Sequence, residues 1–261
     1  MLYRTVPEGR ICITQPTHAW VSGQLARAWG NEAFGYFAPW EEVCLGAEQH
    51  DIGWLPWDVA PTWNSKTGYP HGFTEISTNQ HVKIWSGASR LASPLGRYAA
   101  LLISLHGTRL YERHTGWKTS PTNCSLVEHF LNTEAIVQQH LINNLKADPH
   151  YADYITPEAI AHNRKLIAIW DAISLMVCMG LDHDQTLGEV PTASEDTSLN
   201  LSPTDSTSLR ITVKPWPFQR QDVTLTYEGR ILYTPFPDED IMYRELPHAP
   251  WVTMTTMLVP A

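Results

Sequence analysis

Six side chains whose types could do chemistry interrupt otherwise apolar stretches: His18, the adjacent pair His50–Asp51, His81, His106 and Asp171. Neutral imidazoles and carboxylates are the donors of a borderline-to-hard divalent metal. The His50–Asp51 dipeptide carries little alone, so the surroundings matter more than the letters. Asp171 sits inside IAIWDAISLMVC, where an isolated charge is costly unless an arginine, several donors or a metal meets it. His106 closes the apolar run ALLISL, and a buried imidazole likewise needs a hydrogen bond or a metal. His18, taken singly, is the ordinary histidine of a helix start, and it becomes a ligand only through partners elsewhere. Of the remaining histidines, His71, His129 and His140 read as surface or interhelical positions.

These residues need helices to hold them. QPTHAWVSGQLARAWG reads as the first, with Thr14 as cap, Pro16 in the opening turn, and Trp20, Val21, Leu25, Ala28 and Trp29 turned inward. PWEEVCLGAEQH reads as the second, with Glu41 and Glu42 near its positive end and His50–Asp51 at its C-terminal end. TNQHVKIWSGASRLA carries His81, and LGRYAALLISLHGTRLYERH carries His106, with Arg109 and Arg113 beyond it. A long amphipathic helix follows in CSLVEHFLNTEAIVQQHLINNLKAD. TPEAIAHNRKLIAIWDAISLMVCMG, capped by Thr156, brings Asp171. Between the second and third helices, residues 55–79 form an irregular aromatic loop suited to walling a pocket.

The pattern changes after residue 185. Residues 186–208 are polar, acidic and rich in Ser, Thr and Pro, and are expected to be an exposed loop, Asp182–His183–Asp184 just before them included. From Leu209, LRITVKPWPF, QDVTLTYEG, RILYTPFP and PWVTMTTMLV read as three or four antiparallel strands. RICITQ, near the start, reads as one short strand. The expected architecture is therefore mainly α: a helical metal-binding domain over 1–185, an acidic loop over 186–208, and a β-rich extension over 209–261 packed on the helical body.

Composition excludes several functions. Among 261 residues, 43% are hydrophobic and 11 are Trp, enough for a substantial core. The net charge of −9, with no Lys/Arg block, argues against nucleic acid or an acidic membrane as partner. Cys12, Cys44, Cys124 and Cys178 form no CxxC pair, which argues against a disulfide framework or a structural zinc site. With no long apolar run and no hydrophobic targeting segment in MLYRTVPEGR, a cytoplasmic protein is expected. A small phosphorylated molecule remains compatible with the acidic average, because a local basic pocket or a metal can bind it.

The order H…HD…H…H…D over roughly residues 10–185 resembles the HD superfamily of metal-dependent phosphohydrolases, and HDIGW is similar to the HDIGK of its cyclic-dinucleotide phosphodiesterase branch. Nearly the whole chain, Trp-rich loop and β tail included, resembles the bacterial family called domain of unknown function 3891. The superfamily resemblance implies an HD-like helical bundle in which His18, His50, Asp51 and Asp171 hold a first metal. It further implies that Asp51 bridges to a second metal held by His81 and His106. One or two divalent ions would then activate water to hydroxide for attack on a phosphoester, with cations steadying the phosphoryl oxygens. Iron or manganese suits this ligand set best, with zinc or magnesium also compatible. Arg164, seven residues before Asp171, is the first candidate cation, followed by Arg109, with Arg113 and Lys165 behind, while Asp58 is a candidate to orient a ligand. Trp54 stands where HDIGK has lysine, and GYP at 68–70 is unsuitably spaced for that branch's downstream signature, so cyclic-dinucleotide hydrolysis is not implied. Two other classes fit the ligand set: di-iron oxygenation, as in a smaller branch of the superfamily, and a non-catalytic ligand-binding protein.

Overall fold

The computed structural model describes residues 1–205 and 209–261. A hairpin, β1 (Leu2–Val6) and β2 (Gly9–Ile13), leads into α1 (Gln15–Ala28), capped as expected by Thr14, whose Oγ1 accepts the Thr17 N–H. Helix α2 (Trp40–Glu48) stops short of His50 and Asp51, which occupy the turn before a short 3-10 segment, Ile52–Trp54. The aromatic loop holds α3 (Leu55–Val59) and a small hairpin, β3 (Trp63–Asn64) and β4 (Tyr69–Pro70). The long helices follow as α4 (Thr78–Ala92), α5 (Arg97–Arg113), α6 (Pro121–Lys146) and α7 (Pro157–Met179). The chain ends with β5 (Gln185–Val190), β6 (Thr197–Pro203), β7 (Arg210–Lys214), β8 (Val223–Leu232), α8 (Glu239–Glu245) and β9 (Trp251–Pro260). The protein is thus mainly helical with a C-terminal, largely antiparallel β extension.

The sheet differs from its expected form in three ways. Its order is β1-β2-β8-β9-β7-β6-β5, so the N-terminal hairpin completes it through pairing of β2 with β8. Among the described residues one pairing, β7 with β9, is parallel within an otherwise antiparallel array. The segment expected to be a loop over 186–208 supplies two strands, β5 and β6, while residues 206–208 lie outside the described residues. In β6 the alternation that makes a half-buried strand is present as Leu199 and Leu201, both fully buried, between polar neighbours.

Several ties fix the helices that matter. The Gln24 side chain pairs with both backbone groups of Thr226, holding α1 to β8. Arg4 donates to the Tyr227 hydroxyl and to Val177 O, and Tyr227 also donates to Val177 O, so β1 and β8 grip the end of α7. Arg164 on α7 donates to Leu105 O and to Glu112, clamping α7 to α5. Gly107 lies inside α5: a Cβ there would lie 2.5 Å from the Trp85 ring, so only glycine permits this approach of α4 and α5. Gly53, in HDIG, serves the same purpose, since its Cβ would come within 2.6 Å of Ile84 O.

Candidate metal centre

Four elements deliver the site: α1 brings His18, the turn after α2 brings His50 and Asp51, α5 brings His106 and α7 brings Asp171. His18, His50, Asp51 and His106 are buried, while Asp171 is partly open to a cavity of about 770 Å³. His18 Nε2 lies 3.0 Å from Asp51 Oδ2 and 3.3 Å from Asp171 Oδ1. His50 Nε2 lies 3.2 Å from His18 Nε2, 3.5 Å from Asp51 Oδ2 and 3.4 Å from Asp171 Oδ1.

The protons on these rings decide what such a cluster can be. His50 Nδ1 is 2.8 Å from Ala47 O and must donate to it, which leaves Nε2 as a bare lone pair. Ser174 Oγ donates to Asp171 O, so it accepts from His18 Nδ1–H at 2.7 Å, and His18 Nε2 is likewise a lone pair. Ser22, one turn beyond His18, completes this chain at 2.8 Å from Ser174 Oγ. With both rings neutral, two imidazole lone pairs therefore face each other and two carboxylates. That arrangement repels itself unless a cation sits inside it. The separations fit one: donors at 2.0–2.2 Å from a metal lie about 3.0 Å apart at right angles and about 3.4 Å apart at the tetrahedral angle. The fixing of Nδ1 by a carbonyl and a hydroxyl is the outer support that metal-ligating histidines require.

Titration behaviour tells the same story without a metal. Burial disfavours the His18 cation, yet hydrogen bonds that it donates to Asp171 and Asp51, with their charges, carry its pKa up to about 9. Burial opposes ionisation of Asp171, but His18 and His50 hold it well below the usual carboxylate range. In the absence of metal, a proton must take the cation's place.

A second grouping adjoins the first. His50, His106 and Asp171 offer donor atoms within 4.8 Å of one another, and His106 Nε2 lies 3.6 Å from Asp171 Oδ2. Asp171 thus turns one oxygen to His18 and His50 and the other to His106. Asp171, with one oxygen on each side, stands between the two groupings. His106 is also less well held, its Nδ1 buried without a partner, and burial pushes its pKa down to about 4 despite the nearby Asp171 charge.

Two of the expected site residues have other partners. His81 joins neither grouping: its Nε2 accepts the Trp85 indole N–H at 3.2 Å, leaving Nδ1 to donate to the Tyr111 hydroxyl at 2.5 Å. With both nitrogens engaged, it lines the cavity as part of a polar wall. Arg164 is not the cation facing a substrate, because Leu105 O and Glu112 occupy it and it does not line the cavity. Arg109 and Arg113 do line it. Lys165 is paired with Asp196, and Asp58 accepts the Gln15 backbone N–H at 2.6 Å, away from the cavity lining. The sequence reading passed over Ser22 and Ser174. The available signal was spacing, with Ser22 four residues from His18 and Ser174 three from Asp171, each one helical turn away.

The fold and site define a helical protein, backed by a curled sheet, with a buried His/Asp centre able to chelate a metal at the floor of a cavity. A family model described as "Protein of unknown function (DUF3891)" matches residues 1–234, and the chain belongs to that family. No curated protein and no solved structure shows significant similarity to it. Among the described residues, no helix is long and apolar enough to cross a membrane.

Proposed function

We propose that this protein is a metal-dependent phosphohydrolase of HD type acting on a small phosphoester. The observation that carries the reading is the convergence of two imidazole Nε2 atoms and two carboxylates at the end of a cavity large enough for a metabolite. His18, His50, Asp51 and Asp171 would hold a first divalent ion, and His106 with Asp171 would contribute to a second. Such an ion supplies Lewis acidity toward a phosphoryl oxygen and a water ionised near neutral pH. The chain's own residues do the rest. Ser174 and Ala47 O hold the two imidazoles with their Nε2 atoms inward. Asp171, partly open to the cavity, presents the donor nearest a bound substrate. Trp54, Trp85, His81 and Tyr111 close one wall without any charge, so the cations available to a substrate are those of α5, Arg109 and Arg113.

The test is a panel of nucleotides, sugar phosphates and generic phosphoesters assayed with manganese or iron. Phosphate release that disappears on chelation and in D51A supports the reading. Metal-loaded protein that releases no phosphate from any member, and instead consumes oxygen, overturns it in favour of oxygenase chemistry.

A further inference from the structure

One cation in the cavity, Arg109, has no hydrogen-bond acceptor among the described residues. Arg109 has a side chain only 18% exposed, and its single ion pair among the described residues is with Glu189 at 3.9 Å. None of those residues hydrogen-bonds its guanidinium, although that group carries five N–H donors. A charge so withdrawn from water is costly unless acceptors are supplied. Arg113, one turn further along α5, pairs with the same Glu189 oxygen, and His114 follows at the lip of the cavity. Arg164 stands close enough that, after burial and together with Arg113, it depresses the Arg109 pKa. Along the cavity lining here, two guanidiniums, Arg109 and Arg113, meet one carboxylate, Glu189. The mouth is therefore short of negative charge.

Glu189 is a poorly anchored partner. It is 61% exposed, and it lies where the β5–β6 register slips between Leu187 and Val190. Its φ of +57° makes it the one non-glycine among the described residues in the left-handed region. A bulge of this kind re-aims a side chain, here toward the arginines. Seven residues separate His106 at the floor from Arg113 at the mouth, roughly 10 Å along the helix axis. Leu110, Ile169 and Leu175 line the stretch between.

We propose that Arg109 and Arg113 form an anion-binding subsite at the cavity mouth, held by Glu189 as a placeholder. Its ligand is a small molecule bearing a second anionic group about 10 Å, by the helix rise, from the group that meets the metal centre. On binding, that group displaces Glu189 and takes the unfilled donors of Arg109. The proposal rests on the phosphohydrolase reading only for the nature of the group at the floor.

The experiment compares equilibrium binding of butanediol bisphosphate and butyl phosphate to the manganese-loaded protein at fixed ionic strength, with phosphate release recorded alongside. Charge-assisted contacts to two arginines predict that wild type binds the bisphosphate roughly tenfold or more tightly than the monophosphate. R109Q and R113Q should each bring that ratio below about threefold, whereas E189Q should raise bisphosphate affinity. Opposite shifts in these variants cannot come from a general folding defect, and E189Q alters an exposed position. Equal affinities in wild type, or a ratio unmoved by R109Q and E189Q, overturn the subsite. Selectivity without phosphate release keeps the subsite and removes the hydrolase reading. Release without selectivity does the reverse.

Discussion

The two ends of the cavity are built on opposite terms. At the floor, each imidazole of the first grouping is locked by a short bond on its outer nitrogen, and the atoms left over are all electron donors. At the mouth, the side chains are part-exposed, the ion pairs are shared and Arg109 has donors to spare. The floor has a surplus of negative charge fixed in place, while the mouth has a surplus of positive charge held loosely. The difference teaches which end is permanent and which is exchangeable. On the proposed reading, a resident cation belongs at the floor and a visiting anion at the mouth.

The sharpest way to break this contrast is to remove a floor ligand. D171A or H50A should abolish retention of metal by protein purified without chelator, measured by elemental analysis. Retention of full metal by both variants would mean the floor is not the site. A smaller effect is expected from the outer support: S174A frees His18 Nδ1 and should weaken metal affinity by about 10- to 100-fold, as losses of such partners do. Competition with a fluorescent chelator measures this directly, and an unchanged affinity would show that the Ser22–Ser174 chain is only packing.

The metal-free protein should reveal the same charge surplus through pH. The His18 pKa is raised from its ordinary value of 6.5 to about 9 in the fold. Its contribution to stability is therefore fully present below about pH 6.5 and is lost as pH rises toward and through 9. Thermal melts of chelated protein should show Tm falling over that window, while metal-loaded protein, in which the cation replaces the proton, should not. Parallel curves would contradict the assignment. The smallest effect separates the wall from the floor: H81Q should leave metal stoichiometry unchanged, because both His81 nitrogens are already bonded to Trp85 and Tyr111.

Much of the floor was legible in the residues themselves. A carboxylate inside IAIWDAISL and an imidazole after ALLISL are conflicts between burial and charge, and such conflicts point to a partner. The helices were legible for the same reason that they form, through caps at Thr14 and Thr156 and apolar stripes at helical spacing. The partners of His81 were not legible, because helical periodicity shows which face a side chain takes, but not whether an indole and a phenol meet it there. The same holds for Arg164, which bonds to Glu112 and Leu105 O on α5. β5 and β6 were hidden by polar composition, although Leu199 and Leu201 kept the alternation of a strand. The tie of Glu189 to the arginines of α5, far away in the chain, left no local trace at all.

The most direct measurement is an anomalous-scattering map from crystals grown with manganese or iron. The account predicts a peak about 2.0–2.3 Å from His18 Nε2, His50 Nε2 and at least one oxygen each of Asp51 and Asp171. A map without a peak there, or with its only peak at the exposed Asp182–His183 pair, would contradict it.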